Sequence, residues 1–136
     1  MFLISYKTLI SLHNDFITML KKILVADDDE SIVDALTWML ESYGYEVVST
    51  YDGSRVAAAM LQIPALLVLD TWMSGIDGRD VCKAVKTNPL TSHIPVLMIS
   101  ASHEIRESAL LAGADDFLAK PFEMHIFLDL VSTLCL

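Results

Sequence analysis

Residues 23–31 read Ile-Leu-Val-Ala-Asp-Asp-Asp-Glu-Ser, an apolar run that ends abruptly in four consecutive acids. Strands that are apolar throughout, rather than alternating, are buried on both faces, and such strands belong to parallel sheets covered by helices on two sides. Similar short runs, rich in β-branched residues, recur at 46–50, 65–69, 96–99 and 116–119. Between them the apolar residues recur at helical spacing. Ile32, Leu36, Met39 and Leu40 mark a first helix, and Val56, Ala59, Met60 and Ile63 a second. Val81, Ala84 and Val85 mark a third, Ile105, Ala109 and Ala112 a fourth, and Ile126, Leu130 and Leu134 the last. Gly44 and Gly113 stand where helix C-caps belong, while Asp52-Gly53 and Asp77-Gly78 stand where turns open helices. Five β-α units predict an α/β, flavodoxin-like (βα)5 fold: a doubly wound, five-stranded parallel sheet with strand order 2-1-3-4-5.

The whole chain of 136 residues suits one domain with a continuous core. Eighteen acids against nine bases leave a net charge of -9, and the bases are scattered, which argues against nucleic acid or an anionic membrane as a direct partner. Mean hydropathy is high at +0.50. Its apolar residues nevertheless come in short runs, and no stretch approaches the roughly 18 residues a spanning helix needs. Two cysteines, Cys82 and Cys135, form neither a disulfide framework nor a metal spacing; they read as reduced core thiols of a cytoplasmic protein. Residues 1–20 stand apart as an N-terminal extension, with the domain at 21–136. Phe2, Tyr6, Leu9, Phe16 and Leu20 would share one face of a short amphipathic helix. The plainer alternative is an upstream start, since Met19-Leu20-Lys21-Lys22 is itself a serviceable beginning before the first strand. No signal-peptide pattern is present.

Ligands of open α/β sheets bind at the carboxyl ends of the strands. Here the first strand runs into Asp27, Asp28, Asp29 and Glu30, the third into Asp70, the fourth into Ser100 and the fifth into Lys120. Carboxylates converging on one edge repel one another, and a divalent cation removes that cost. All-oxygen ligation at a small, hydrated site suits Mg²⁺. A lysine and a hydroxyl opposite it complete a place for a phosphoryl group. Asp29 and Glu30 read more simply as N-cap and first-turn residues of the helix that follows.

The runs ILVADDDES (23–31), LLVLDTWMSGIDG (66–78), IPVLMISAS (94–102) and AGADDFLAKPF (112–122) together resemble the receiver domain of two-component response regulators, of the single-domain chemotaxis-receiver kind. The resemblance covers about residues 21–134. It implies that Asp70 is the phosphoacceptor, that Asp28 and Asp70 ligate Mg²⁺ directly, that Asp27 acts mostly through water, and that the Trp72 backbone carbonyl supplies another oxygen. It further implies Ser100 as switch hydroxyl, Phe117 as switch aromatic, Lys120 as phosphate-binding lysine and a cis Lys120-Pro121 bond. When phosphate draws Ser100 inward, Phe117 would fill the vacated space and reshape the face of the fourth helix, fifth strand and fifth helix. The donor would be a sensor histidine kinase or histidine phosphotransfer protein, and the output an unnamed downstream protein. Such a domain is not an enzyme beyond its own phosphorylation and autodephosphorylation.

Three departures from the family pattern stand out. Ser74 replaces a usual proline and is expected to loosen its loop. The stretch from Ser100 to Lys120 is about two residues short, before the fourth helix. Trp72 is bulky for its position and would flank the phosphate, slowing attack by water. The last helix, 125–136, carries Asp129 alone as a charge, and Phe127 and Leu128 add bulk beyond the stripe a core would use. It reads either as a loosely amphipathic terminal helix or as a contact face for a homodimer or partner. Two other function classes remain. One is a small haloacid-dehalogenase-type phosphohydrolase with Asp27 as nucleophile and an Asp27-x-Asp29 motif, for which the chain is short. The other is a degenerate receiver that binds partners without phosphorylation. With no output domain after residue 136, a partner is expected to complete the function.

Overall fold

Five parallel strands build the sheet: β1 (Lys22–Ala26), β2 (Glu46–Thr50), β3 (Leu66–Asp70), β4 (Val96–Ser100) and β5 (Asp116–Ala119). In the computed structural model, which describes residues 5–9 and 20–136, they lie in the order β2-β1-β3-β4-β5. The expected topology is the one observed. The central strands β3 and β4 are buried along their whole length, as their unbroken apolar sequence requires.

Strand alternation divides the core in two. Ile23, Val25, Leu66, Val68, Leu97 and Ile99 face one side, where they pack on Val33, Leu36 and Leu40 of α1 (Glu30–Ser42) and on Phe127 and Val131 of α5 (Met124–Leu134). Leu24, Ala26, Leu67, Leu69, Val96 and Met98 face the other. There they meet Val56 of α2 (Val56–Ala59), Cys82 and Val85 of α3 (Gly78–Thr87) and Ala109 of α4 (Arg106–Leu111). Each face of the sheet therefore has its own apolar layer, and the sheet cannot slip by one residue without exchanging the two. Both cysteines are buried and unpaired, and burial raises both thiols above the ordinary value, Cys82 to about 11.

Two helices depart from the expected pattern. The second is one α turn between 3-10 turns at Gly53–Arg55 and Met60–Gln62, and it stops at Ile63 (φ 51°) immediately before Pro64. A residue before proline is driven out of the helical region, and only Val56 and Met60 anchor this segment. The last helix is rotated from the expected face. Phe127 and Val131 are its buried positions, whereas Ile126 is 43% exposed. Phe127 is thus no surplus: its ring lies 5.5 Å from that of Phe122 and fills the core. In a helix apolar nearly all round, spacing does not choose the face; the larger ring takes the interior.

Gly44 and Gly113 do end helices in left-handed conformations, at φ 89° and 106°. Among the described residues no helix is long and apolar enough to cross a membrane. Tyr6 and Leu9 lie exposed on a short helical segment, while Phe2, Phe16 and the alternative start at Met19 lie outside the described residues.

Gly78 shows how closely the fold is built around the edge that matters. Its N–H donates to the Thr71 carbonyl at 2.8 Å, and a Cβ placed on it would sit 2.1 Å from the Asp70 carbonyl oxygen. Gly78→Ala is therefore expected to destabilise the domain by about 1–3 kcal/mol, through forced displacement of backbone. Urea unfolding checks this; an unchanged midpoint contradicts it.

Candidate functional site

The strand register assembles the site. Ala26 pairs with Leu69 and Asp70 with Ile99, so Asp27 and Asp70 leave the sheet side by side. Ser100 pairs with Ala119, and the Lys120 N–H donates to the Ser100 carbonyl at 2.7 Å, which brings Lys120 to the same edge. One oxygen from each of Asp27, Asp28 and Asp70 lies within 4.8 Å of the others.

The three carboxylates differ in what holds them. Asp27 is fully buried, and both its oxygens are engaged: Oδ1 accepts from the Asp29 N–H at 3.0 Å and Oδ2 from Lys120 Nζ at 2.8 Å. Asp70 is almost buried, 3.5 Å from the same ammonium, and opens onto a cleft of about 440 Å³ lined also by Thr71, Trp72, Ser100, Ser102 and Lys120. Asp28 is exposed, and its Oδ2 accepts from both the N–H and the hydroxyl of Ser74, each at 3.0 Å. Ser74 thus does not loosen its loop as expected but ties it to Asp28. It does so at φ 48°, a conformation closed to proline, whose ring holds φ near −65°. Asp29 is the N-cap of α1, accepting from Ser31 and Ile32, with Glu30 in the first turn.

The electrostatics follow from this crowding. Burial first, then the neighbouring Asp27 carboxylate, pushes Asp70 up to about 7, with Lys120 opposing. Burial alone would lower the Lys120 ammonium; Asp27 and Asp70 outweigh it and hold it above the ordinary lysine value. One cation thus faces more anionic charge than it neutralises, in a set of donors that are all hard oxygens. Those residues fit a small divalent cation such as Mg²⁺.

Ser100 is buried, and its Oγ accepts from the Thr71 hydroxyl at 2.8 Å and from the Ser102 N–H at 3.0 Å. Phe117 is buried, with the Arg106 guanidinium 5.9 Å from the centre of its ring. Trp72 projects from the short ribbon Trp72–Met73/Ile76–Asp77 and is 60% exposed at the cleft. The connection after β4 is brief, Ala101 and Ser102 and then a 3-10 turn at His103–Ile105. Lys120-Pro121 is cis.

Three residues at this edge escaped the reading of the sequence. Thr71 holds Ser100; its signal was a polar residue directly after Asp70, at the end of a wholly apolar strand. Arg79 lines the cleft, forks onto Asp77 and reaches Ser108 of α4 at 3.1 Å. Arg106 covers Phe117. Arg106 carries no local spacing that would have marked it, because its partners lie on β5; the Asp77-x-Arg79 spacing is local, but the reach to Ser108 is not.

The family model for the response regulator receiver domain matches residues 23–132. The chain is 42% identical over 107 residues to the alkaline phosphatase synthesis transcriptional regulatory protein PhoP of Bacillus subtilis (strain 168), covering 76% of this chain and 44% of that protein. It therefore spans about half the length of the curated regulators it matches. Among solved structures, the chemotaxis response regulator CheY4 of Vibrio cholerae superposes with a TM-score of 0.79 at 27% identity, over 85% of this chain and 99% of that one. The receiver domain of NtrX from Brucella abortus gives 0.77 at 31% identity, over 83% and 97%. With the topology, the acidic edge and these likenesses in agreement, the chain belongs to the response regulator receiver-domain family.

Proposed function

We propose that this domain is a phosphorylation-dependent signalling switch whose phosphoacceptor is Asp70. The observation that carries this is the division of labour among the carboxylates. Asp70 faces the cleft, whereas Asp27 has both oxygens occupied and Asp28 has one oxygen engaged by Ser74. The same observation disfavours the phosphohydrolase alternative, which needs Asp27 as a free nucleophile. An Asp70 oxygen attacks the phosphorus of a phosphohistidine in line; the new O–P bond forms as the P–N bond breaks, and its electron pair leaves with the imidazole. Lys120 steadies charge on the phosphoryl oxygens, and Ser100 donates to one of them. Asp28 and Asp70 would hold Mg²⁺ directly, with the Trp72 carbonyl beside them and the already engaged Asp27 acting through water. Bound there, the cation supplies positive charge against the phosphoryl oxygens. Autodephosphorylation by water ends the signal.

The donor is a histidine kinase or histidine phosphotransfer protein, and a cytoplasmic location follows from such a donor. Output passes through the α4-β5-α5 face to a downstream protein or a second copy of the chain. Leu111 of α4 and Ile126 of α5 are exposed apolar residues on the elements that form that face. The domain proper begins at residue 21, with residues 1–20 as an extension.

Three results are expected. A kinase autophosphorylated on histidine transfers its label to the wild-type chain in Mg²⁺ and not to Asp70→Asn; equal labelling of that variant, or label on Asp27, contradicts the assignment. Light scattering shows self-association that rises with beryllofluoride if the output is a homodimer; a strict monomer in both states leaves a heterologous partner as the only version. The last concerns pH. Asp70 in the metal-free domain lies near 7, above its ordinary 3.8, so between those values the folded state holds a proton the unfolded chain has lost. Its contribution to stability therefore falls as pH rises through that window. Asp70→Asn should stabilise the domain in EDTA at pH 8, by up to about 4 kcal/mol, and do little at pH 4. Urea titrations at both values decide it, and an equal effect at the two contradicts it.

A further inference from the structure

Thr71 follows Asp70 directly, and its backbone is held at both ends. Its N–H donates to the Ile99 carbonyl at 3.0 Å, and its carbonyl accepts from the Gly78 N–H at 2.8 Å. From this anchored backbone the hydroxyl donates to Ser100 Oγ at 2.8 Å, with both residues buried. A serine hydroxyl has two acceptor sites and one proton. Both acceptor sites of Ser100 are taken, one by Thr71 and one by the Ser102 N–H at 3.0 Å. The proton is the one hydrogen-bonding function left to it, and Ser100 shares the cleft with Asp70 and Lys120.

We propose that Thr71 is a positioning residue: by filling an acceptor site of Ser100 it commits that hydroxyl to act as a donor toward the phosphoryl group on Asp70. This rests on the assignment of Asp70 as phosphoacceptor. A β-branched side chain suits the task, because its χ1 is restricted and its hydroxyl keeps one direction. Without that donor, Ser100 can rotate its proton onto other acceptors and must be turned back when a phosphoryl group arrives. The coupling runs through two adjacent residues, Asp70 and Thr71, so the nucleophile and the group that orients the switch hydroxyl move with one piece of backbone.

The test is a double-mutant cycle read by beryllofluoride affinity in Mg²⁺, with urea midpoints to confirm folding. Thr71→Val, which keeps the shape and loses the donor, should weaken binding about 3- to 10-fold, the worth of one hydrogen bond. Thr71→Ser should stay within about twofold of wild type. In a Ser100→Ala background, Thr71→Val should have no further effect, since its target is gone. Thr71→Ala carries the same expectations should the valine variant fail to fold. Undiminished affinity in the variants lacking the hydroxyl overturns the inference. So does an equal loss with and without Ser100, which would mark Thr71 as merely structural. Wild-type protein that forms no adduct at Asp70 overturns the phosphoacceptor assignment instead, and this inference with it.

Discussion

The burial of Asp70 beside Asp27, with Asp28 at the rim, is the constraint on which the site turns. Three carboxylates whose oxygens lie within 4.8 Å of one another are an expensive arrangement at the end of a buried sheet. Lys120 offsets part of it by bonding Asp27 and approaching Asp70. What is left uncompensated, added to burial, raises the Asp70 carboxyl and makes positive charge favourable beside it.

The fold's task is to hold that arrangement against its own repulsion. Parallel pairing of β1, β3 and β4 sets Asp27 beside Asp70, and the apolar layers on the two faces of the sheet oppose any slip of register. Gly78 allows α3 to start almost in contact with the backbone of Asp70 and Thr71, so the loop after Asp70 is clamped from behind. Around the cleft, buried hydroxyls and arginine forks connect this loop to β4 and α4. Thr71 joins the residue after Asp70 to Ser100 of β4, and Arg79 separately joins Asp77 to Ser108 of α4.

What was legible in the sequence was whatever rests on local pattern. The apolar strands, their order and the acids, hydroxyl and lysine at their ends could all be read, because each strand ends where its hydrophobic run does. What was not legible depended on contacts between distant segments. Ser74 looked like a lost proline until its bonds to Asp28, 46 residues away, were seen. Thr71 went unread because its partner, Ser100 on β4, lies 29 residues away. The phase of α5 failed for another reason: with apolar residues on every side, spacing had no contrast to work with, and Phe127 went inside by size.

Burial at the carboxyl edge of the sheet, and after it the Asp27 carboxylate, sets the state of Asp70. The most direct test is the titration of the Asp70 side-chain carboxyl by ¹³C NMR, in EDTA and again in saturating Mg²⁺. The expected midpoint in EDTA is about 7, raised by burial and by Asp27, moving far toward acid when the cation is added. An Asp70 that titrates near the ordinary 3.8 in both conditions would contradict it.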